Sequence, residues 1–204
     1  MIEDVTGVLI AGGKSRRMGQ DKRFLKVDGR SLIDRTVDVL EKVFTSIVIA
    51  FAEPLEHWNA RGHRVVFDAL PDCGSLGGLY TGLVASPRPW IFAVACDMPF
   101  LNPAVVRYMA GLDDGSDIVA AKLASGHQPM HAFYSRRCVP IFERMAKQRR
   151  LKIQDVFSHP DLRVKIVPES ELTALDPKLL SFRNINTPED FDSAAALLRN
   201  PFER

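Results

Sequence analysis

Short apolar runs that stop at a turn and alternate with helical segments constrain this chain more than any other feature. Residues 5–10 form such a run, ending in Ala11-Gly12-Gly13, and residues 47–51, 65–67 and 91–96 form three more. Each is too short for a helix and mostly apolar, the pattern of a strand buried on both faces. Between them the period changes. Ser31 caps a helix whose apolar stripe is Ile33, Val37, Leu40 and Phe44, spaced by three and four. Residues 76–84 read as a second helix, weakened by Gly77, Gly78 and Gly82. Asn102-Pro103 opens a third, with a cap followed by proline in the first turn. Residues 118–121 and 130–134 add two strands and residues 136–147 a helix. Thr187-Pro188-Glu189-Asp190 starts a last helix with Phe191, Ala194 and Leu198 on one face. Residues 149–180 fit none of these patterns and read as a small substrate-side insertion. Such alternation gives a mostly parallel sheet with helices on both faces. Ligands bind such sheets beyond the carboxyl ends of the strands. The loops after Ile10, Phe67 and Cys96 therefore share one crevice.

Bulk properties remove several classes of function. A formal net charge of +2 over 204 residues is too small to argue for nucleic acid as a partner. No apolar stretch approaches the ~20 residues of a membrane-spanning helix, and the start, residues 1–6, has none of the character of a signal peptide. Cys73, Cys96 and Cys138 are odd in number and widely spaced, which argues against a disulfide framework and a CxxC metal site. A reducing, cytoplasmic setting is expected.

Chemistry concentrates in residues 9–22, Leu-Ile-Ala-Gly-Gly-Lys-Ser-Arg-Arg-Met-Gly-Gln-Asp-Lys. Glycines let backbone approach an anion, and successive N–H groups cradle phosphate oxygens. Arg16, Arg17 and Lys22 add charge, the arginines with a bidentate fork. Gly13-Lys14-Ser15 is not a P-loop, because the glycine required five residues before Gly13 is Val8. The dinucleotide fingerprint GxGxxG fails from Gly12 and from Gly13 alike. On the residues alone, a nucleotide-phosphate cradle and a solvated Gly/Lys turn stand level.

The stretch LIAGGKSRRMGQDK resembles the signature of the molybdenum cofactor guanylyltransferase (MobA-type) family, roughly LAGGxSxRMGxDK, with Ile10 in place of its leucine. The resemblance runs from about Thr6 to Leu198, with the motifs in family order. It implies a Rossmann-like three-layer α/β/α sandwich of the nucleotide-diphospho-sugar transferase kind in one domain, residues 1–204. Residues 5–100 or so would bind nucleotide, and 101–198 the acceptor. It implies an enzyme that transfers GMP from GTP to the molybdopterin-bound molybdenum cofactor, releasing pyrophosphate, with Mg²⁺ as cofactor. Transient contact with molybdenum-insertion proteins or apo-molybdoenzymes would follow. Related cytidylyltransferases carry Ala-Ala-Gly where this chain has Ala11-Gly12-Gly13, which favours guanine.

Residue roles follow from the same resemblance. Lys22 and Arg17 would stabilise charge on the leaving pyrophosphate, while Ile10, Ala11, Gly12 and Gly13 would line the nucleotide. Cys96-Asp97-Met98-Pro99 resembles the family's metal motif and makes Asp97 the Mg²⁺ ligand. A strand-end carboxylate suits that ion, which keeps one or two carboxylates beside substrate phosphates and water. Asp68 and the following Asp72-Cys73-Gly74-Ser75-Leu76-Gly77 resemble a D…GPLxG stretch, with Ser75 where proline is usual, so Asp68 would bind nucleotide. Gln128, in a stretch resembling QPLxALY, and Asn184 and Asn186, in one resembling NxNTPEDL, would face the pterin. The two asparagines alternate on a strand and so share a side. His127 and His131 have the spacing of metal ligands on a helix, but Pro129 between them argues against a helix. Two other readings stay open. One is a nucleotidyltransferase of different base or acceptor (a cytidylyltransferase for the same pterin, or one acting on a sugar or polyol phosphate). The other is a non-catalytic cofactor-delivery protein.

Overall fold

The computed structural model describes residues 1–12, 21–54, 58–112 and 114–199, with the backbone alone at Lys22. In chain order the elements are β1 (Ile2–Ile10), β2 (Lys26–Val27), β3 (Arg30–Ser31), α1 (Leu32–Val43), β4 (Phe44–Phe51), β5 (Arg64–Phe67), α2 (Gly74–Ala85) and β6 (Trp90–Ala95). They continue with α3 (Pro103–Ala110), β7 (Ile118–Leu123), β8 (Gly126–Ser135), α4 (Val139–Lys147), β9 (Val164–Pro168), α5 (Glu169–Leu172) and α6 (Pro188–Arg199). Seven strands form one sheet in the order β5-β4-β1-β6-β8-β7-β9, and β2 and β3 make a separate hairpin. All strands of the large sheet run the same way except β8, which is antiparallel to both β6 and β7.

Alternation along β1 divides the core. Leu9 joins the cluster under α1 and α3, whereas Val8 and Ile10 join the cluster under α2 and α4. The expected three-layer sandwich is therefore present. α1 starts where Ser31 accepts the Asp34 N–H at 3.2 Å, and it buries Ile33, Val37 and Leu40. Phe44 does not extend that stripe. Its backbone turns to the extended region after capping on the Leu40 carbonyl, so it opens β4 instead and stacks on Phe92.

The glycines of α2 have a packing reason. A Cβ on Gly82 would stand 2.3 Å from Val8 Cγ1, and one on Gly78 2.7 Å from Ile10 Cγ2. The helix lies against β1 only because these positions are bare. Helix propensity, worth ~1 kcal/mol per glycine, yields to that contact.

Residues 149–180 are not an insertion. They supply β9, an edge strand pairing in parallel with β7, followed by the short α5. The sequence pattern hides it because an edge strand need not be apolar, and β9 is only partly buried. Asn184 and Asn186 lie on no strand. They occupy an extended stretch that makes one backbone bond to the sheet side, from Ile185 N–H to the Asp97 carbonyl at 2.9 Å. Their expected alternation survives, because both are exposed while Ile185 is buried between them. β8 is longer than expected and bulged. Ala120 pairs with Ala132 but Lys122 pairs with His127, so four residues of β8 oppose one of β7. The three cysteines are buried and free. Among the described residues, no helix is long and apolar enough to cross a membrane.

Candidate active site

The order of the sheet reverses between β4 and β6, on either side of β1, so the crevice lies over the carboxyl ends of β1 and β6. Ile10 pairs with Ala50 on one side and Ala95 on the other, which levels the ends of all three strands. Gly12, at the end of β1, and Asp97, two residues past β6, therefore share one rim. Phe67 pairs with Phe51, and Asp68 follows on the same rim, its N–H donating to the Phe51 carbonyl at 3.0 Å.

The residues expected to bind the acceptor lie on other segments. β8 runs backwards, so its beginning, not its end, lies at the crevice. Its register places Val94 opposite His131. Gln128 sits within the bulge, its side-chain amide donating to Ser125 Oγ at 3.2 Å and the Gly126 carbonyl at 3.1 Å. The bulge also separates the two histidines. His127 packs on Phe157, with ring centroids 4.8 Å apart, while His131 is enclosed between Phe92 and Phe182.

Gly12 carries a specific signal. It is exposed, its φ is not positive, and among the described residues a Cβ there would meet only Ala52, at 3.7 Å. Neither backbone conformation nor packing against those residues demands a glycine at this point. The bare backbone leaves room for a ligand to lie directly on it. Ala11 is different. Its N–H donates to the Ala50 carbonyl at 2.8 Å, and its carbonyl accepts from Arg23 Nη1 at 2.6 Å.

Arg23 is a residue that the sequence motifs did not single out. Its Nε and Nη2 grip the Asp21 carboxylate while Nη1 holds Ala11, and the guanidinium lies 5.5–5.6 Å from the Phe24 and Phe51 ring centroids. It fastens the residue after β1 to the residue before Lys22. The signal was its position just past the cationic loop, but contacts of this kind are invisible without the fold. Lys22 itself begins a short 3₁₀ turn, Lys22–Phe24. Gly13 and Arg17 lie outside the described residues.

Asp68 is held in an unfavourable state. Its Oδ1 is buried with no hydrogen-bond partner among the described residues, beside Gly78. Burial pushes its pKa from 3.8 to about 6. An orphaned, half-buried carboxylate on the rim is an acceptor waiting for a donor group. Ser75, the departure from the family pattern, falls in the exposed first turn of α2. Proline and serine are both tolerated there.

The second asparagine stretch ends in a reciprocal cap. Asp190 Oδ2 accepts the N–H groups of Asn186 and Thr187, both at 3.0 Å, and Thr187 Oγ1 accepts the Asp190 N–H at 3.1 Å. Those backbone donors hold the Asp190 carboxyl below its ordinary pKa. A cavity of about 480 Å³ opens elsewhere, between α1, the start of α3 and the 175–180 turn, and shares no residue with the rim. The strand-end carboxylates favour the rim over this cavity as the reactive centre.

A sandwich of this order, with a glycine-led loop and carboxylates on the switch-point rim, defines a nucleotidyltransferase. Residues 7–162 match the model of the MobA-like NTP transferase domain. The molybdenum cofactor guanylyltransferase of Desulfosudis oleivorans is 40% identical over 202 residues, 97% of this chain and 98% of that protein. The probable molybdenum cofactor guanylyltransferase of Pelotomaculum thermopropionicum is 36% identical, covering 96% of this chain and 94% of its own. The crystal structure of molybdopterin-guanine dinucleotide biosynthesis protein A from Archaeoglobus fulgidus superposes with a TM-score of 0.81 at 25% identity, covering 95% of this chain and 98% of that one. The chain belongs to the MobA-like NTP transferase family.

Proposed function

We propose that this enzyme transfers GMP from GTP to the molybdopterin-bound molybdenum cofactor, giving the guanine dinucleotide cofactor and pyrophosphate. The observation that carries the reading is the 40% identity to a molybdenum cofactor guanylyltransferase across nearly the full length of both chains. Gly12, bare on an exposed rim, supports a nucleotide lying on the backbone there. The half-chain to about residue 100 binds GTP, and residues 101–198 bind the acceptor.

In this mechanism the pterin's terminal phosphate attacks the α-phosphorus of GTP, and pyrophosphate leaves in line. The attacking group is already an anionic nucleophile, so no strong general base is needed. Catalysis is positioning plus charge neutralisation. Lys22 and Arg17 meet charge on the departing pyrophosphate. Gly12 and Gly13 bring backbone N–H groups to the nucleotide, Ile10 and Ala11 form its floor, and Asp68 accepts a hydrogen bond from it. Gln128, Asn184 and Asn186 orient the pterin.

Among the described residues no group of three His, Cys, Asp or Glu side chains could hold a metal ion. One strand-end carboxylate, Asp97, fits an ion such as Mg²⁺ that draws its other ligands from phosphates and water. Bound there, Mg²⁺ would supply charge stabilisation on phosphate oxygens. The enzyme works in the cytoplasm and hands its product to molybdenum-insertion proteins or apo-molybdoenzymes. Equilibrium binding of GTP, CTP, ATP and UTP tests the base. Tightest binding of GTP is expected, and a clear preference for CTP would replace this reading with a cytidylyltransferase.

A further inference from the structure

The Asp97 loop is held at both ends by one strap. Ile185 N–H donates to the Asp97 carbonyl at 2.9 Å, and Asn102 N–H donates to Ser181 Oγ at 3.0 Å. Residues 97–102 and 181–185 thus run antiparallel with a bond at each end, although neither is a strand. The strap in turn hangs on buried polar groups. Ser181, fully buried, sends its N–H to Asp176 Oδ2 at 2.7 Å, and its Oγ lies 2.9 Å from His131 Nε2. His131 is also fully buried, with its ring 4.3 Å from that of Phe182 and 5.1 Å from that of Phe92.

The Ser181–His131 bond links two buried side chains 50 residues apart. Ser181 Oγ accepts the Asn102 N–H and still has one hydrogen and one lone pair for His131 Nε2, so the contact joins the two side chains in either ring tautomer. Burial pushes the His131 pKa down to about 4, consistent with the neutral ring. An apolar side chain would fill the same aromatic slot, so packing alone does not call for histidine. What histidine adds is one buried hydrogen-bonding nitrogen that fixes where residue 181 sits.

We propose that His131 is a positioning residue: through Ser181 it sets the register of the 181–185 strap, and so places both the Asp97 carboxylate and Asn184 at the rim. A residue on the reversed strand β8 would thereby couple the acceptor side of the crevice to the carboxylate assigned to the metal. The coupling to metal rests on the Asp97 assignment above; the placement of the strap does not.

Two readouts, both without turnover, test it on the full chain. The first is hydrogen exchange at the Ile185 amide, with residues 6–10 of β1 as an internal control for folding. The second is Mn²⁺ affinity, measured by electron paramagnetic resonance with GTP bound. His131→Leu and Ser181→Ala should each speed Ile185 exchange about tenfold, the scale of one lost buried hydrogen bond, and weaken Mn²⁺ about tenfold. His131→Gln, whose amide group reaches the Nε2 position and can donate or accept there, should restore both to within about threefold, whereas His131→Asn, one carbon shorter, should not. Unchanged Ile185 exchange in Ser181→Ala and His131→Leu, with β1 protected, would overturn the proposal. So would faster exchange with unchanged Mn²⁺ affinity when Asp97→Asn does weaken Mn²⁺. If Asp97→Asn itself binds Mn²⁺ like the wild type, the metal assignment has failed instead, and the exchange data alone decide on the strap.

Discussion

The two halves of the crevice are built by different means. On the side proposed for the nucleotide, β5, β4, β1 and β6 are parallel, and three of them deliver a rim residue directly from the carboxyl end: Asp68 after β5, Gly12 after β1, Asp97 after β6. On the side proposed for the acceptor, none of the three candidate residues comes from the end of a parallel strand. Gln128 arrives at the start of a reversed, bulged strand, and Asn184 and Asn186 on a strap pinned to the loop of the other half. The first half follows from local order of strands and turns. The second depends on bonds between residues tens of positions apart, so its geometry is easier to disturb and more easily varied for a different acceptor.

The largest effect separating fold from function belongs to the junction. Asp97→Ala should cut kcat by about a thousandfold, the scale of transition-state charge stabilisation by a metal, with unchanged thermal midpoint. Measurement of pyrophosphate release in Mg²⁺ checks it. Gly12→Ala should act on the nucleotide half alone. A methyl has room among its described neighbours, so stability should hold, but it intrudes on the ligand. The KM for GTP should rise at least about tenfold while that for the pterin stays level. Asn184→Ala is the converse. It should raise the pterin KM about fivefold, one lost hydrogen bond, and leave the GTP KM alone. Steady-state kinetics with each substrate varied in turn would break the two-halves view if either variant moved both values equally.

Gly82→Ala inverts the Gly12 result. The methyl gains ~1 kcal/mol of helix propensity but is driven to 2.3 Å from Val8 Cγ1. Overpacking against a central strand costs ~1–3 kcal/mol, so a net loss of about 1 kcal/mol is expected in denaturant melts.

The smallest effect is at Asp68. Its carboxyl binds a proton more tightly folded than unfolded, since burial raises the pKa from 3.8 to about 6. Its contribution to stability therefore falls as pH rises through that interval and stays unfavourable above it. Asp68→Asn should melt later than the wild type above pH 6, the gain shrinking to nothing near pH 4. It should also bind GTP more weakly, because the amide keeps one acceptor oxygen but loses the carboxylate charge. A gain that persists at pH 4 would assign the effect to something other than ionisation.

Much of the nucleotide half was legible in the sequence. The apolar runs predicted β1, β4, β5 and β6 because strands buried on both faces must be apolar, and the residues following them fell on one rim as parallel order requires. Phe44 was misplaced because its spacing suits a helix stripe as well as a strand, and only the backbone turn at the cap decides. The acceptor half was read less well for a common physical reason. β9 is a half-buried edge strand without a strong pattern, and the β8 bulge has no local marker. The unpaired strap around Asn184 looks like a strand because it alternates. Arg23 was not singled out and His131 was weighed only as a metal ligand, because their contacts, Arg23 with Ala11 and His131 with Ser181, exist only in the fold.

The central claim, one crevice that joins guanine nucleotide to pterin, is tested most directly by following label. With GTP labelled at the α-phosphate, Mg²⁺ and the molybdopterin cofactor, label should pass to the pterin product in step with pyrophosphate release, and CTP labelled likewise should give little. Pyrophosphate release without labelled pterin, or transfer from CTP in preference to GTP, would contradict the account.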